Sequence, residues 1–216
     1  MFKKISQSVA VSGALLLAAG SSQAAITNLV SNGGFETGDF SSWAQEGGAT
    51  QSITSGIGGG AYGSFSAELS NTSPAGNIIK QDIGAGLLTA GQSVEVSLDY
   101  RGVAEAGGVL FVELFSLDAN NAVTKTEIVG GGPLFPAANA DSWSNFSFTT
   151  TVGPDVEGGL TLVLNAPCGA AASCVSNYIL DNVSVAADVA AVPVPAAAWL
   201  FGSALLGLVG IRKKQS

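Results

Sequence analysis

Carboxylates are the side chains of this sequence with the greatest potential for chemistry. The chain has 16 Asp and Glu residues and no histidine, which excludes a Ser-His-Asp hydrolase and a His-ligated metal site. Paired carboxylates can still hydrolyse glycosidic bonds, and Glu113 with Asp99 or Glu95 offers such a pair. Strand carboxylates of an acidic protein are usually only solvated, so we expect a non-catalytic protein and keep a carboxylate-dependent glycoside hydrolase as an alternative.

The acidic residues are confined to the middle of the chain. All 16 lie within residues 25–191, together with only three basic residues, so this segment has a net charge of −13. An acidic surface repels phosphate backbones, which argues against nucleic acid as a partner. Divalent cations and neutral ligands suit it better.

Cys168 and Cys174 are the 2 cysteines of the chain. In an exported protein two nearby thiols predict a disulfide that pins a loop. A closed loop of this size contributes on the order of 2 kcal/mol to stability. A two-cysteine metal site is the alternative, although the sequence has no further Cys or His to complete it.

Residues 1–24 have the pattern of a signal peptide. Lys3 and Lys4 precede an apolar stretch, and Ser22 and Ala24 follow at the spacing that signal peptidase recognises. We expect cleavage after Ala24 and export across the inner membrane. A permanent N-terminal anchor is the alternative, but the apolar stretch is short for a membrane span.

The elements that must position the candidate residues are predicted to be strands. Short alternating segments separated by Gly, Pro, Asn and Asp recur through residues 25–187, as is typical of an all-β domain. In SVEVSLDYRG, Val94, Val96 and Leu98 fall on one face. GGVLFVELFSLD is apolar on both faces and predicts a strand in the middle of a sheet. We predict about nine or ten strands in a two-sheet antiparallel jelly-roll β-sandwich.

Four motifs occur in a particular order along this predicted domain. They are NLVSNGGFETGDFSSW, GSFSAELS, the stretch from IIKQDI to AGQSVEVSLDYRG, and NYILDNVSV. Their order and spacing over about residues 27–186 resemble carbohydrate-binding modules of the CBM4/9 type. Those modules are jelly rolls of the galactose-binding-like group, so the resemblance implies this fold.

In that family the N-terminal turn and the last strand commonly hold a structural Ca²⁺. The resemblance implies carboxylate ligands at Glu36 and Asp181, with backbone carbonyls near Gly34 and Ser66 completing the site. Ca²⁺ binds carboxylate and carbonyl oxygens, and acidic residues brought close together must share a cation or protonate. The alternative is that Glu36 caps its turn and Asp181 only accepts hydrogen bonds from nearby backbone amides.

The resemblance also implies polysaccharide binding. Such modules stack aromatic side chains on sugar rings and bind hydroxyl groups with polar side chains. The residues expected to point away from the core and to fit these roles are Arg101, Glu113, Trp143 and Asn165. Aromatic residues make up only 7% of the chain, and a structural role for Trp143 stays open. A purely structural surface protein is therefore the alternative to a glycan-binding one.

The C-terminal residues form a second apolar segment. Residues 188–195 are a predicted linker, and no charge occurs from Ala196 to Ile211. Because a basic end stops transfer on the cytoplasmic side, we predict a transmembrane helix and basic tail over residues 196–216. About 16 apolar residues are fewer than the roughly 20 of a full span, which fits temporary residence in the membrane. The residues that carry the pattern are Pro193, Val194, Pro195, Arg212, Lys213 and Lys214.

The Pro-x-Pro pair, the run AAAWLFGSALLGLVGI and the basic end resemble the VPLPA variant of the PEP-CTERM sorting signal of Gram-negative, polysaccharide-producing bacteria. Pro193-Val194-Pro195 stands where the commoner form has Pro-Glu-Pro. The resemblance implies recognition by an exosortase, which removes the tail and releases or transfers the protein to the cell surface. We therefore expect an inner-membrane intermediate that becomes a surface or biofilm-matrix protein in contact with extracellular polysaccharide.

Overall fold

The computed structural model describes residues 25–56 and 60–189. The predicted signal peptide, most of the predicted linker and the predicted helix 196–216 lie outside these residues. Within the described ranges, no helix is long and apolar enough to cross a membrane. The helical content there is two short 3-10 turns, at Gly60–Tyr62 and Val129–Gly131.

Eleven strands, numbered in chain order, make up the rest of the regular structure of the described residues. They are β1 Ala25–Asn28, β2 Ala44–Gly47, β3 Thr50–Ser55, β4 Phe65–Asn71, β5 Asn77–Ile83, β6 Ser93–Glu105, β7 Phe111–Leu117, β8 Val123–Ile128, β9 Ser144–Thr151, β10 Gly159–Asn165 and β11 Val175–Val189.

The strands pair into two antiparallel sheets. The back sheet has the order β3-β4-β11-β6-β9, with β1 also paired to β11, and the front sheet has the order β2-β5-β10-β7-β8. Apart from the pairs β3-β4 and β7-β8, strands that are neighbours in a sheet are not consecutive in the chain, as in a jelly roll. The predicted two-sheet β-sandwich is confirmed.

The hydrophobic core fills the space between the two sheets. Along the longer strands alternate residues point inward, so one face of each sheet packs into the core and the other faces outward. In β10 the side chains of Leu160, Leu162 and Leu164 are fully buried. In β6 the predicted inward residues Val94, Val96 and Leu98 are buried as well.

Two elements differ from the prediction. β2 was not predicted, because its four residues AQEG are all exposed and show no apolar alternation. β11 continues to Val189, where Asp188 and Val189 pair with Ile26 and Ala25 of β1. The first two residues of the predicted linker therefore belong to a strand.

The turn between β1 and β2 is held against β11. The backbone N–H of Val183 donates to the Gly33 carbonyl over 2.9 Å, and a Cβ on Gly33 would lie 2.0 Å from the Val183 carbonyl oxygen. Glycine is needed here because the two backbones touch. The buried Phe35 ring packs on Trp43, with centroids 5.6 Å apart, and this anchors the turn.

The predicted disulfide between Cys168 and Cys174 is present. It closes the loop between β10 and β11. The backbone N–H of Cys168 donates to the Ala75 carbonyl over 3.2 Å, so the loop is also tied to the connection between β4 and β5. The bridge fixes one end of the sandwich, far along the strands from the turn that carries Glu36.

Candidate functional site

The outward face of the front sheet carries a groove of about 580 Å³. Side chains from all five strands of that sheet line it. Because the strand register is fixed by backbone pairing, the outward residues of β5, β10 and β7 form cross-strand rows. Two adjacent rows are Lys80–Val163–Glu113 and Asp82–Thr161–Phe115.

The polar side chains of the groove differ in how well they are paired. The Lys80 ammonium lies 2.6 Å from the Glu46 carboxylate, and the Thr161 hydroxyl donates to Asp82 over 2.6 Å. Among the described residues, the half-buried Glu113 carboxylate accepts no hydrogen bond, and burial raises its pKa. The groove thus contains a carboxylate that is partly desolvated and still free to take a ligand group.

Phe115 is the aromatic side chain among the lining residues of the groove. Its ring is half-buried, and Val163 and Leu117 add apolar surface beside it. A concave surface that combines an aromatic ring with a few convergent polar groups is the usual form of a small-molecule site. The same combination suits a sugar ring, which has an apolar face and polar edges.

The structure does not bring the four predicted glycan residues together. Glu113 lines the groove, and Asn165 lies on the same face at the end of β10, where its side-chain oxygen accepts from the Asn77 backbone N–H over 3.3 Å. Arg101 and Trp143 lie on the outward face of the back sheet instead. Strand alternation separates inward from outward residues, but it does not reveal which sheet a strand joins.

The Trp143 side chain packs within the protein. The Tyr62 ring stacks on it with centroids 4.3 Å apart and an interplanar angle of 10°. The Arg101 guanidinium carbon lies 5.3 Å from the ring centroid, and Arg101 donates to the Asp141 carbonyl over 3.1 Å. These contacts use ring surface that a sugar would need, and they agree with the structural role left open for Trp143.

The suggested carboxylate pair is wrong. Glu113 belongs to β7 of the front sheet, whereas Asp99 and Glu95 belong to β6 of the back sheet. All three side chains point outward, so the core of the sandwich separates Glu113 from the other two. Asp99 accepts from the Asn145 and Asn182 amides. Glu95 accepts from a serine hydroxyl over 2.6 Å. A glycoside hydrolase needs its two carboxylates on either side of one glycosidic bond, and carboxylates on opposite sheets do not meet this requirement.

The residues expected to hold a cation do lie together. The Ser66 hydroxyl donates to the Asp181 carboxylate over 2.8 Å. A Cβ on Gly34 would lie 3.5 Å from an Asp181 carboxylate oxygen and 3.8 Å from Glu36 Cγ. Gly34 therefore lies beside the Asp181 carboxylate and the Glu36 side chain, where its lack of a side chain leaves room.

Asp181 is in an unfavourable environment for a charge. Its side chain is 1% exposed, and burial raises its pKa to about 6, an effect to which the nearby charges of Glu36 and Asp99 add. Hydrogen bonds from Ser66 and from the Asn182 backbone N–H oppose the increase. A cation beside Asp181 would offset the cost of burying this charge.

Glu36 caps the segment that leads into β4. Its carboxylate accepts from the backbone N–H groups of Ser64 and Phe65, at 2.9 and 3.1 Å. Each carboxylate oxygen has a further lone pair, so capping does not prevent Glu36 from binding a metal ion as well. The segment that Glu36 caps therefore lies at the start of β4 and is not its own turn, as the alternative had it, and binding of a metal ion by Glu36 stays a prediction.

The chemistry of this group fits Ca²⁺. In the parts of the chain that the structure describes, no group of three or more His, Cys, Asp or Glu side chains has the arrangement of a metal site. Ca²⁺ does not need one, because it takes hydroxyl and backbone carbonyl oxygens together with carboxylates. Glu36, Asp181, Ser66 and the backbone of Gly34 supply these donor types in one place.

Comparison with known proteins gives the same fold. The sequence model of a carbohydrate binding domain family matches residues 27–168. The chain is similar to the enzymatically active domain of tailspike protein 4 of bacteriophage CBA120, with a TM-score of 0.57 and 17% identity over 73% of this chain and 21% of that one. It is also similar to the xylan-binding CBM22-1 domain from Paenibacillus barcinonensis, with a TM-score of 0.52 and 18% identity over 80% and 100% of the two chains. A family 16 carbohydrate-binding module is similar as well, with a TM-score of 0.51 and 17% identity over 73% of this chain and 99% of that one.

At these identities the likeness to the solved structures is a likeness of fold. The chain spans about a fifth of the tailspike domain, and no curated protein sequence matches it. The family match is different in kind, because it covers more than half of the chain, from Thr27 to Cys168. It confirms the resemblance to CBM4/9-type modules. The chain belongs to the carbohydrate binding domain family.

Proposed function

We propose that this protein binds polysaccharide in the groove of the front sheet. The observation that carries the proposal is a five-stranded concave surface that presents the Phe115 ring and the unpaired Glu113 carboxylate side by side. Membership in a family of binding domains supports a non-catalytic module. The carboxylate pair considered for hydrolysis is split between two sheets.

In this proposal the apolar and the polar side chains of the groove have different roles. Phe115 and Val163 supply apolar surface for the face of a sugar ring, because burying such surface contributes about 25 cal/mol per Å². Lys80, Asp82 and Thr161 lie at the sides of that surface and bind hydroxyl groups. The row spacing along a strand is about 7 Å, so a sugar on Phe115 brings its neighbour within reach of Glu113.

A polysaccharide panel tests the proposal. We expect affinity electrophoresis of the full chain to show retarded migration in gels that contain at least one polysaccharide, relative to a gel without any. A bovine albumin lane controls for sieving by the polymer. Unretarded migration throughout the panel would favour the alternative of a purely structural surface protein.

We further propose that Ca²⁺ binds between the first turn of the domain and β11. The buried, charged Asp181 and the glycine beside it support this assignment. The ion would join segments that are more than 140 residues apart in sequence, so its role is to stabilise the fold. It lies on a different part of the sandwich from the groove.

The ends of the chain support a proposal about destination. Signal peptidase removes residues 1–24, the apolar segment holds the protein in the inner membrane, and an exosortase removes residues 196–216. The product is then a cell-surface or matrix protein, and at that location extracellular polysaccharide is available to the groove. The Pro193-Val194-Pro195 motif and the basic end support this route.

Mass spectrometry of surface or shed material from the native host tests this route. We expect peptides that cover residues 25–189 and none that contain Lys213 or Lys214. The membrane fraction of a host without its exosortase provides the control, and it should retain the C-terminal peptide. Finding that peptide in the shed fraction of the unmodified host would contradict the proposal.

A further inference from the structure

The charges that line the groove do not balance. Three carboxylates, those of Glu46, Asp82 and Glu113, face one ammonium group, that of Lys80. Glu46 already neutralises Lys80 over 2.6 Å. Asp82 is bonded only to a threonine hydroxyl, so the groove keeps two negative charges that no basic side chain among its lining residues offsets.

The position of Glu113 makes its charge available to a bound ligand. It lies in the row next to Phe115 on the same strand and faces the same way. Its cross-strand neighbours on β10 and β8 are Val163 and Ile128, which are apolar and cannot donate a hydrogen bond. When a ligand stacks on Phe115, the group that donates a hydrogen bond to the Glu113 carboxylate therefore has to come from the ligand.

Partial burial strengthens the effect of this carboxylate. The attraction between two charges grows as the effective dielectric falls, and a partly buried pair is screened less by salt than an exposed one. The Glu113 carboxylate is partly shielded from water, and this burial raises its pKa. A cationic group placed here replaces lost hydration, whereas a second carboxylate would be repelled.

We infer that the groove prefers polysaccharides that carry free amino groups. This inference rests on the proposed function and specifies its ligand class. A protonated amine on a sugar ring has three donors, so it binds Glu113 through a charge-assisted hydrogen bond while its ring, or the next one, lies on Phe115. Neutral chains bind without this contact, and uronic acid chains bind least.

A matched ligand series tests the preference. Three β-1,4-linked oligosaccharides of equal length differ at one carbon only, which bears an amine, an acetamide or a hydroxyl group. Isothermal titration of the full chain with each, at one pH and one ionic strength, compares them directly. We expect the amine-bearing oligomer to bind about tenfold more tightly than the hydroxyl-bearing one, a factor that corresponds to roughly 1.4 kcal/mol.

Two variants separate a groove contact from general attraction to an acidic protein. Glu113→Gln is expected to abolish the preference, so that the amine-bearing and hydroxyl-bearing oligomers bind this variant with equal affinity, and an unchanged circular dichroism spectrum shows that the variant is folded. Glu95→Gln removes the same charge from the back sheet and should keep the full preference. Equal affinities for the three ligands, or an equal effect of the two substitutions, would overturn the inference.

The outcomes also distinguish this inference from the proposal beneath it. If none of the three oligomers binds but another polysaccharide of the panel does, the amine preference is wrong and glycan binding stands. If no polysaccharide binds at all, both are wrong.

Discussion

In EDTA at pH 7, the Asp181→Asn variant is expected to be more stable than the unchanged chain by a few kcal/mol. The Asp181 pKa is raised from 3.8 to about 6 in the folded protein, and each pKa unit corresponds to about 1.4 kcal/mol. Asparagine removes the buried charge and still accepts the hydrogen bond from the Asn182 backbone. Without a metal ion, the charge of Asp181 costs stability.

In Ca²⁺ the unchanged chain is expected to be more stable than Asp181→Asn, the reverse of the order of stability in EDTA. A ligand that binds only the folded state stabilises it by about 4 kcal/mol at a concentration 1,000 times its Kd, and the variant loses the carboxylate that supports this binding. Urea denaturation of both chains in EDTA and in Ca²⁺ measures the crossover. Asp141→Asn is the matched control, because the Asp141 side chain is 90% exposed. Identical unfolding curves in EDTA and Ca²⁺ would contradict the calcium assignment.

The same carboxyl sets a pH dependence in EDTA. Between pH 4 and 6 the folded protein holds a proton on Asp181 that the unfolded chain has released. The contribution of this group to stability therefore falls as the pH rises through that range and is constant above it. The slope should show as the difference between the unchanged chain and Asp181→Asn, because the substitution removes the Asp181 carboxyl group and keeps every other carboxyl group of the chain.

The second large effect is expected from Phe115→Ala. If the Phe115 ring carries the stacking contact, its removal should weaken polysaccharide binding by about 2 kcal/mol, the size of an interface hot spot, or roughly thirtyfold in Kd. The ring is half-buried on the outward face, so the loss of packing in the core is small. Affinity electrophoresis with the best ligand of the panel gives the Kd of each chain.

Two substitutions control for this result. Phe135→Ala removes the same ring from a position that is 60% exposed and outside the groove, and it should bind as the unchanged chain does. Trp143→Ala removes the ring that stacks on Tyr62 and should also keep its affinity. Loss of binding in Trp143→Ala with full binding in Phe115→Ala would move the site to the back sheet.

The fold could be predicted from the sequence because its signals are local. Alternation in SVEVSLDYRG identifies a strand and its buried face, and Val94, Val96 and Leu98 are buried as predicted. The NGGFE turn and the LDNV strand were expected to meet, and Glu36 and Asp181 do influence each other. What failed lacks such a signal: β2 has no apolar residue larger than alanine.

The binding surface could be predicted only in part, because it depends on which strands share a sheet. Arg101 and Glu113 are both outward-facing strand residues, and no local pattern shows that β6 and β7 belong to opposite sheets. Phe115 has the same parity as Glu113 along β7, so alternation within this strand places both side chains on one face. Lys80, Asp82 and Thr161 became visible as a group only when strand register placed β5 beside β10.

Methyl NMR of the full chain, with and without saturating polysaccharide, tests the location of the site most directly. Each sheet has an isoleucine and a valine on its outward face: Ile78 and Val163 in the front sheet, and Ile179 and Val103 in the back sheet. We expect chemical-shift changes at the methyl groups of Ile78 and Val163 and none at the other two. Changes confined to Ile179 and Val103 would show that the groove is not where this protein holds its ligand.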